Sequence, residues 1–98
     1  MITEIATITI DPAKADAFEA AVKEAAPVLR AAGGHSMALE RVIEEPGKYY
    51  LRVQWDTVED HMVRFRQSEG FKAWRALAGP FFVSTPIVEH SEAVGRFF

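Results

Sequence analysis

The first ten residues place β-branched side chains at nearly every position: isoleucines at 2, 5, 8 and 10, threonines at 3, 7 and 9. That run predicts a strand over 2–10. Alternation puts Ile2, Ala6, Ile8 and Ile10 on one face and Thr3, Ile5, Thr7 and Thr9 on the other. Asp11 followed by Pro12 is a helix start, because the acid caps free N–H groups and proline at the first turn loses no bond. From there the spacing changes to that of a helix over 12–32, with Phe18, Ala21, Val22, Ala25, Val28, Leu29 and Ala32 on one stripe. Glu19 and Lys23 are set for an i,i+4 pair on the polar side, and Pro27 predicts a kink. Gly33-Gly34 end the helix, since glycine accepts the left-handed geometry there.

Residues 35–43 and 49–55 alternate again and predict a hairpin across Glu44-Glu45-Pro46-Gly47-Lys48. Pairing Ile43 with Tyr49 sets Leu39 opposite Val53, Met37 opposite Trp55, and Glu40 opposite Arg52. One face then carries Met37, Leu39, Ile43, Tyr49, Leu51, Val53 and Trp55; the other is mixed. Thr57 caps a second helix with Val58, His61, Met62 and Phe65 on its apolar stripe. Ser68 and Gly70 interrupt it. A further segment turns Phe71, Trp74, Leu77 and Ala78 inward, and Gly79-Pro80 stops it. A last strand is expected over 81–91, at a sheet edge because Pro86 cannot donate a ladder bond. The aromatic end, Phe97-Phe98, is expected to dock on something.

The order β-α-β-β-α-β predicts an α+β, ferredoxin-like fold: one antiparallel sheet with helices on one face, a single domain over 1–98. Burying the uncovered sheet face against a second copy would give a homodimer.

Composition narrows the function classes. At 98 residues the chain can hold a small core. A net charge of −3 with interspersed signs carries no electrostatic footprint for nucleic acid. There is no cysteine, hence no disulfide or thiolate chemistry. No apolar run approaches the ~18 residues of a membrane span. The start lacks a signal-peptide layout, so a cytoplasmic location is expected. His35 and His90 fall on separate strands without a closely spaced histidine partner, and Glu59-Asp60-His61 point apart on a helix. No metal site is expected, and no glycine-rich phosphate loop is present.

The stretch from Tyr49 to Trp74 holds both tryptophans and both tyrosines. Trp55 ends a strand and His61 lies on the apolar stripe of the following helix, so both should face the gap between sheet and helix. A titratable ring on an apolar stripe is the most informative feature of the chain. The spacing Trp55-x5-His61-x6-Ser68-x2-Phe71-x2-Trp74, with the late Pro86-Ile87-Val88-Glu89, resembles the antibiotic biosynthesis monooxygenase family. That resemblance implies a dimeric α+β barrel that oxidises phenolic or quinol-type aromatics with molecular oxygen, without flavin, haem or metal. Members acting on polycyclic phenols have a pocket tryptophan at the end of the third strand, matched by Trp55. Their proton-handling tyrosine is replaced here by His61, and their helical arginine is matched by Arg75. The haem-degrading branch requires an asparagine on the first strand, and this chain contains none.

Cofactor-free oxygenation needs an electron-rich substrate anion, because triplet oxygen reacts slowly with closed-shell organics. A buried, neutral His61 is suited to remove the proton. Arg75 and the indole N–H of Trp55 would stabilise the anion. Phe65, Trp74, Met62, Leu51 and Tyr49 are expected to bind the flat ring. The competing reading of His61 is a core histidine satisfied at both nitrogens; Trp55 and Trp74 are also ordinary core residues, and Arg75 an ordinary snorkelling side chain. At the level of function the alternatives are a non-catalytic dimeric module, binding a small apolar ligand or acting in stress or regulation, and an isomerase or decarboxylase using the same base without oxygen.

Overall fold

The β-branched N-terminus forms β1 (Ile2–Thr9), which lies inside the sheet rather than at its edge. The computed structural model describes residues 1–98. Asp11 accepts the Ala13 N–H at 3.0 Å and caps a short 3-10 turn, Pro12–Lys14. The α-helix proper, α1 (Ala15–Ala31), begins after that turn and continues past Pro27 as one element. It ends where Gly33 takes a φ of +112° and the Gly34 N–H reaches back to the Leu29 carbonyl at 3.0 Å. Then follow β2 (Ser36–Arg41), β3 (Lys48–Trp55), a π-helical turn (Asp60–Phe65), α2 (Glu69–Ala78), a 3-10 turn (Gly79–Phe81) and β4 (Ile87–Ser91). The sheet order is β2-β3-β1-β4 with every neighbouring pair antiparallel. This is the ferredoxin-like βαββαβ arrangement expected from the element order.

The core lies between sheet and helices. Ile8 from β1, Phe18 from α1, and Leu51, Val53 and Trp55 from β3 are sealed there. The apolar stripe of α1 falls as its spacing dictates, with Phe18, Ala21, Val22, Ala25 and Leu29 buried. No helix is long and apolar enough to cross a membrane.

Four details differ from the sequence expectation. The hairpin is shifted by two residues: Arg41, not Ile43, pairs with Tyr49, and Met37 lies opposite Val53. The cause is tertiary. Gly47, at φ +87°, accepts the Ile10 N–H at 2.8 Å, and this anchor fixes the loop and leaves Ile43 88% exposed. A shift of two keeps every side chain on its face, so the face assignment survives. Glu40 and Arg52 still meet, diagonally, at 2.6 Å. Second, β4 covers only Ile87–Ser91; Pro80 and Pro86 bracket an irregular stretch held by the Val83 N–H on the Thr9 carbonyl at 2.9 Å. Third, Glu19 ignores Lys23 and accepts from the Tyr49 hydroxyl at 2.6 Å and from Arg41 at 2.7 Å. Fourth, the terminal aromatics dock on nothing within the chain; Phe97 is 85% exposed.

Candidate functional site

Two side chains on the core side of the sheet break its apolar pattern. Glu4 sits on β1 between Ile2 and Ala6, so alternation turns it inward, and it is only 6% exposed. His90 sits on β4 directly opposite Glu4 and shares that face. Above them lies the π-helical turn. Thr57 starts it by accepting the Asp60 N–H through its hydroxyl at 3.1 Å, and the turn buries His61 and Phe65. Ser68 ends it: its hydroxyl donates to the Phe65 carbonyl at 2.6 Å and accepts the Phe71 N–H at 3.3 Å. One serine thus closes one helical turn and caps α2, and the chain bends over the sheet between them. Such widened turns recur at functional sites.

The three groups join in a line. The Trp55 indole N–H donates to Glu4 Oε1 at 3.0 Å, and His61 Nε2 lies 3.2 Å from the same oxygen. His61 Nδ1 lies 2.9 Å from His90 Nε2. The His61 ring stacks on Trp55, with centroids 5.5 Å apart and planes 18° from parallel. Phe65 closes the cluster 5.2 Å from the Trp55 ring. Glu4 Oε2 bonds to nothing in the protein, yet no buried polar side-chain atom lacks a partner. That second oxygen is therefore open to the cavity beside it.

Burial sets the charges. Desolvation, partly offset by the Trp55 hydrogen bond and by Arg66, pushes the Glu4 carboxyl up to about 7. Desolvation, with the nearby His90 and Arg66 charges, pushes His61 down to about 4. His90 is lowered for the same reasons, burial first and Arg66 second. Near neutrality His61 is thus a neutral ring, and its 3.2 Å approach to Glu4 is a close polar contact rather than an ion pair.

A cavity of about 160 Å³ opens beside this line. Glu4 and His61 form its polar floor; Ala6, Leu51, Phe65, Phe71 and Trp74 are among its apolar walls. Arg66 and Arg75 line it while remaining exposed, which puts two guanidinium groups at its mouth. Neither is paired with a carboxylate, and Arg75 lies over the Phe71 ring at 5.9 Å. The volume is close to that of a cavity able to hold a single benzene ring, about 150 Å³.

The structure brings together His61, Trp55, Phe65, Trp74, Leu51 and Arg75 from the residues singled out in the sequence. It separates two others. Tyr49 lies along β3 away from the cavity, its hydroxyl bound to Glu19 and its ring 5.0 Å from Phe18. Met62 turns outward on the π-helical turn and does not line the cavity. Trp55 stands behind the wall rather than in it, fully buried, with its N–H directed at Glu4. His61 Nδ1 is bonded to His90 and Nε2 lies against Glu4 Oε1, so the free acceptor facing the cavity is Glu4 Oε2. His90 has no histidine close to it in the chain, yet the fold pairs it with His61 from 29 residues away, β4 bringing it from the far end of the chain. Glu4 was missed in the sequence, although its place between Ile2 and Ala6, an acid on the inward face of β1, was the signal that could have found it. No group of three or more such side chains is arranged to hold a metal ion; Glu4, His61 and His90 face one another in series rather than a common point.

The family model described as antibiotic biosynthesis monooxygenase matches residues 1–77. An uncharacterized protein of Bacillus subtilis, YczJ, is 37% identical over 95 residues, covering 96% of this chain and all of that one. A crystal structure from Bordetella bronchiseptica, provisionally described as an antibiotic biosynthesis monooxygenase, superposes with a TM-score of 0.90 at 48% identity, covering 95% of this chain and 96% of that one. A second, from Caulobacter crescentus and described in the same terms, gives 0.78 at 28% identity, with 96% and 90% covered.

Proposed function

The chain belongs to the antibiotic biosynthesis monooxygenase family, and on that premise we propose that it is a cofactor-free monooxygenase acting on a single-ring phenol or quinol that carries an acidic substituent. The observation behind this reading is the cavity: one ring wide, aromatic-walled, with an open carboxylate oxygen backed by a neutral imidazole at its floor. In the overall reaction an aromatic C–H ortho or para to the hydroxyl becomes a C=O. One atom of O2 enters the ring and the other leaves as water with both hydrogens, so no external reductant is needed. The substrate must first lose its phenolic proton. The Glu4–His61 pair supplies a base whose carboxyl titrates near 7, where a general base works best at neutral pH. Arg75 and Arg66 at the mouth hold the anionic substituent and draw charge toward the entrance. Leu51, Phe65 and Trp74 clamp the ring. Trp55 acts on the reaction through Glu4.

The sheet face turned away from the helices carries Ile5, Thr3, Thr7, Tyr50 and Arg52, all half-buried already, and Ile87, 65% exposed. A second copy covering this face completes a dimeric barrel. Equilibrium sedimentation tests it: a monomer at micromolar concentration removes the dimer.

The activity is tested by oxygen uptake with single-ring hydroquinones and phenols, with and without a carboxylate, alongside anthrones, in the presence of a chelator. Uptake above the protein-free rate, surviving chelation, is expected. Tight binding seen by tryptophan quenching with no uptake would replace this reading by that of a small-ligand-binding module. The enclosure of His61 between Glu4 and His90 is the feature that favours such a module.

A further inference from the structure

Glu4 is buried at the cavity floor, and a bound aromatic ring would shut it off from water on that side. It keeps one other connection. His61 Nε2 is 3.2 Å from Glu4 Oε1, and His61 Nδ1 is 2.9 Å from His90 Nε2. His90 is half-buried on the edge strand β4, and its other nitrogen, Nδ1, has no partner in the protein and is not sealed. A line of polar atoms, hydrogen-bonded between the two histidines and in close approach between His61 and Glu4, therefore runs from the cavity floor, through the π-helical turn, to the sheet edge.

We infer that Glu4 is the residue that takes the substrate proton and that His61 and His90 form a relay setting its protonation from solvent behind the occupied cavity. This rests on the oxygenase reading only for the word substrate; the relay itself does not. The line has two arrangements that differ by one proton. In the first, Glu4 is a carboxylate and both histidines carry their proton on Nε2. His90 Nδ1 then takes a proton from water, His90 Nε2 passes its own to His61 Nδ1, and His61 Nε2 passes its own to Glu4 Oε1. The second arrangement has Glu4 neutral and both rings protonated on Nδ1. The reverse sequence releases one proton to water. Neither end state contains an imidazolium, which agrees with the depressed basicity of both rings. The Trp55 N–H fixes Oε1 on the relay side and leaves Oε2 for the substrate.

The charged groups facing this line are few. Arg66 follows the π-helical turn and Arg75 comes from α2, both at the cavity mouth; α1 and β3 present only Leu29 and Leu51 to the cavity. Arg66 acts on Glu4 and on both histidines. No other acid lines the cavity.

The test uses the full chain labelled with 15N-histidine, with ring nitrogen spectra recorded from pH 4 to 9. The relay requires the His61 and His90 rings to exchange tautomers in one common step near pH 7, where Glu4 titrates. In Glu4→Gln that step disappears while both rings remain folded in place. A step retained in Glu4→Gln, or rings that change independently of each other, overturns the relay, and a packing role for the histidines would give that result. Oxygen uptake supplies the second arm. Glu4→Gln should lose at least about tenfold in kcat, the usual scale for a general base. His90→Ala should lower kcat with KM unchanged and be rescued by added imidazole, which fits the space left by the ring. Turnover equal to wild type in Glu4→Gln removes Glu4 as proton acceptor. Absence of turnover with every substrate sinks the oxygenase reading alone, and the ring spectra still decide the relay.

Discussion

Glu4 and His90 are direct cross-strand partners on the β1–β4 ladder, and the imidazole of His61 bridges them from the helical layer at 3.2 and 2.9 Å. A buried carboxyl and a buried imidazole thus share one site, and each has its titration moved by burial in the direction of its neutral form. Their effects on stability therefore oppose each other.

The first prediction concerns that opposition. Glu4 holds its proton more tightly in the folded chain, so its contribution is present below about pH 4.5 and is lost as pH rises to about 7. His61 holds its proton less tightly when folded, so its contribution is present above 6.5 and is lost as pH falls to about 4. His90 adds in the same direction as His61. Each full change for Glu4 and His61 corresponds to roughly 3 kcal/mol, so these two nearly cancel from about pH 4.5 to 6.5 and wild-type stability should fall only by the smaller His90 contribution on acidification through that window. Glu4→Gln should lose stability on acidification through this window, and His61→Gln should lose it on alkalinisation. Urea unfolding at a series of pH values reads both slopes; parallel slopes in the two variants would contradict the assignment.

Removing the indole donor isolates its effect on Glu4. Trp55→Phe keeps the ring stacked near His61 but takes away the 3.0 Å bond that lowers the Glu4 carboxyl. The Glu4 titration should move upward, and stability at pH 8 should fall by about 1–3 kcal/mol, the scale for a buried charge-assisted hydrogen bond. An isotope-shifted infrared carboxyl band followed against pH, together with urea unfolding, provides the check.

The mouth arginines should control affinity for acidic substrates and not for neutral ones. Arg66→Ala with Arg75→Ala should raise KM for a carboxylated phenol about tenfold or more, as expected for the loss of charge-assisted contacts of ~1.5–3 kcal/mol. A neutral analogue should change little. Equal effects on both substrates would show that the two side chains shape the entrance rather than read charge.

Gly47 should tolerate no side chain. Its φ is +87°, and a Cβ there would stand 2.4 Å from the Ile10 carbonyl oxygen. Gly47→Ala is expected to cost more than about 1 kcal/mol. Because this residue anchors the hairpin register, the variant should also weaken protection of the Ile10 and Val42 amides in hydrogen exchange.

Elements and faces were legible in the chain itself. Periods of two and 3.6, the Asp11, Thr57 and Ser68 caps and the Gly33-Gly34 stop specify β-α-β-β-α-β, because these signals are local and each residue's face follows from its position in the repeat. The same local logic placed Trp55 and His61 against each other. It could not set the hairpin register, which depends on Gly47 meeting Ile10 across the fold, nor confine β4 to Ile87–Ser91. Above all it could not assemble the site. Glu4, His61 and His90 come from the first strand, the middle of the chain and the last strand, and only the β1–β4 pairing brings them within hydrogen-bond reach. Periodicity states which way a side chain points; which partner waits there is decided when distant strands pair and expel the water between them.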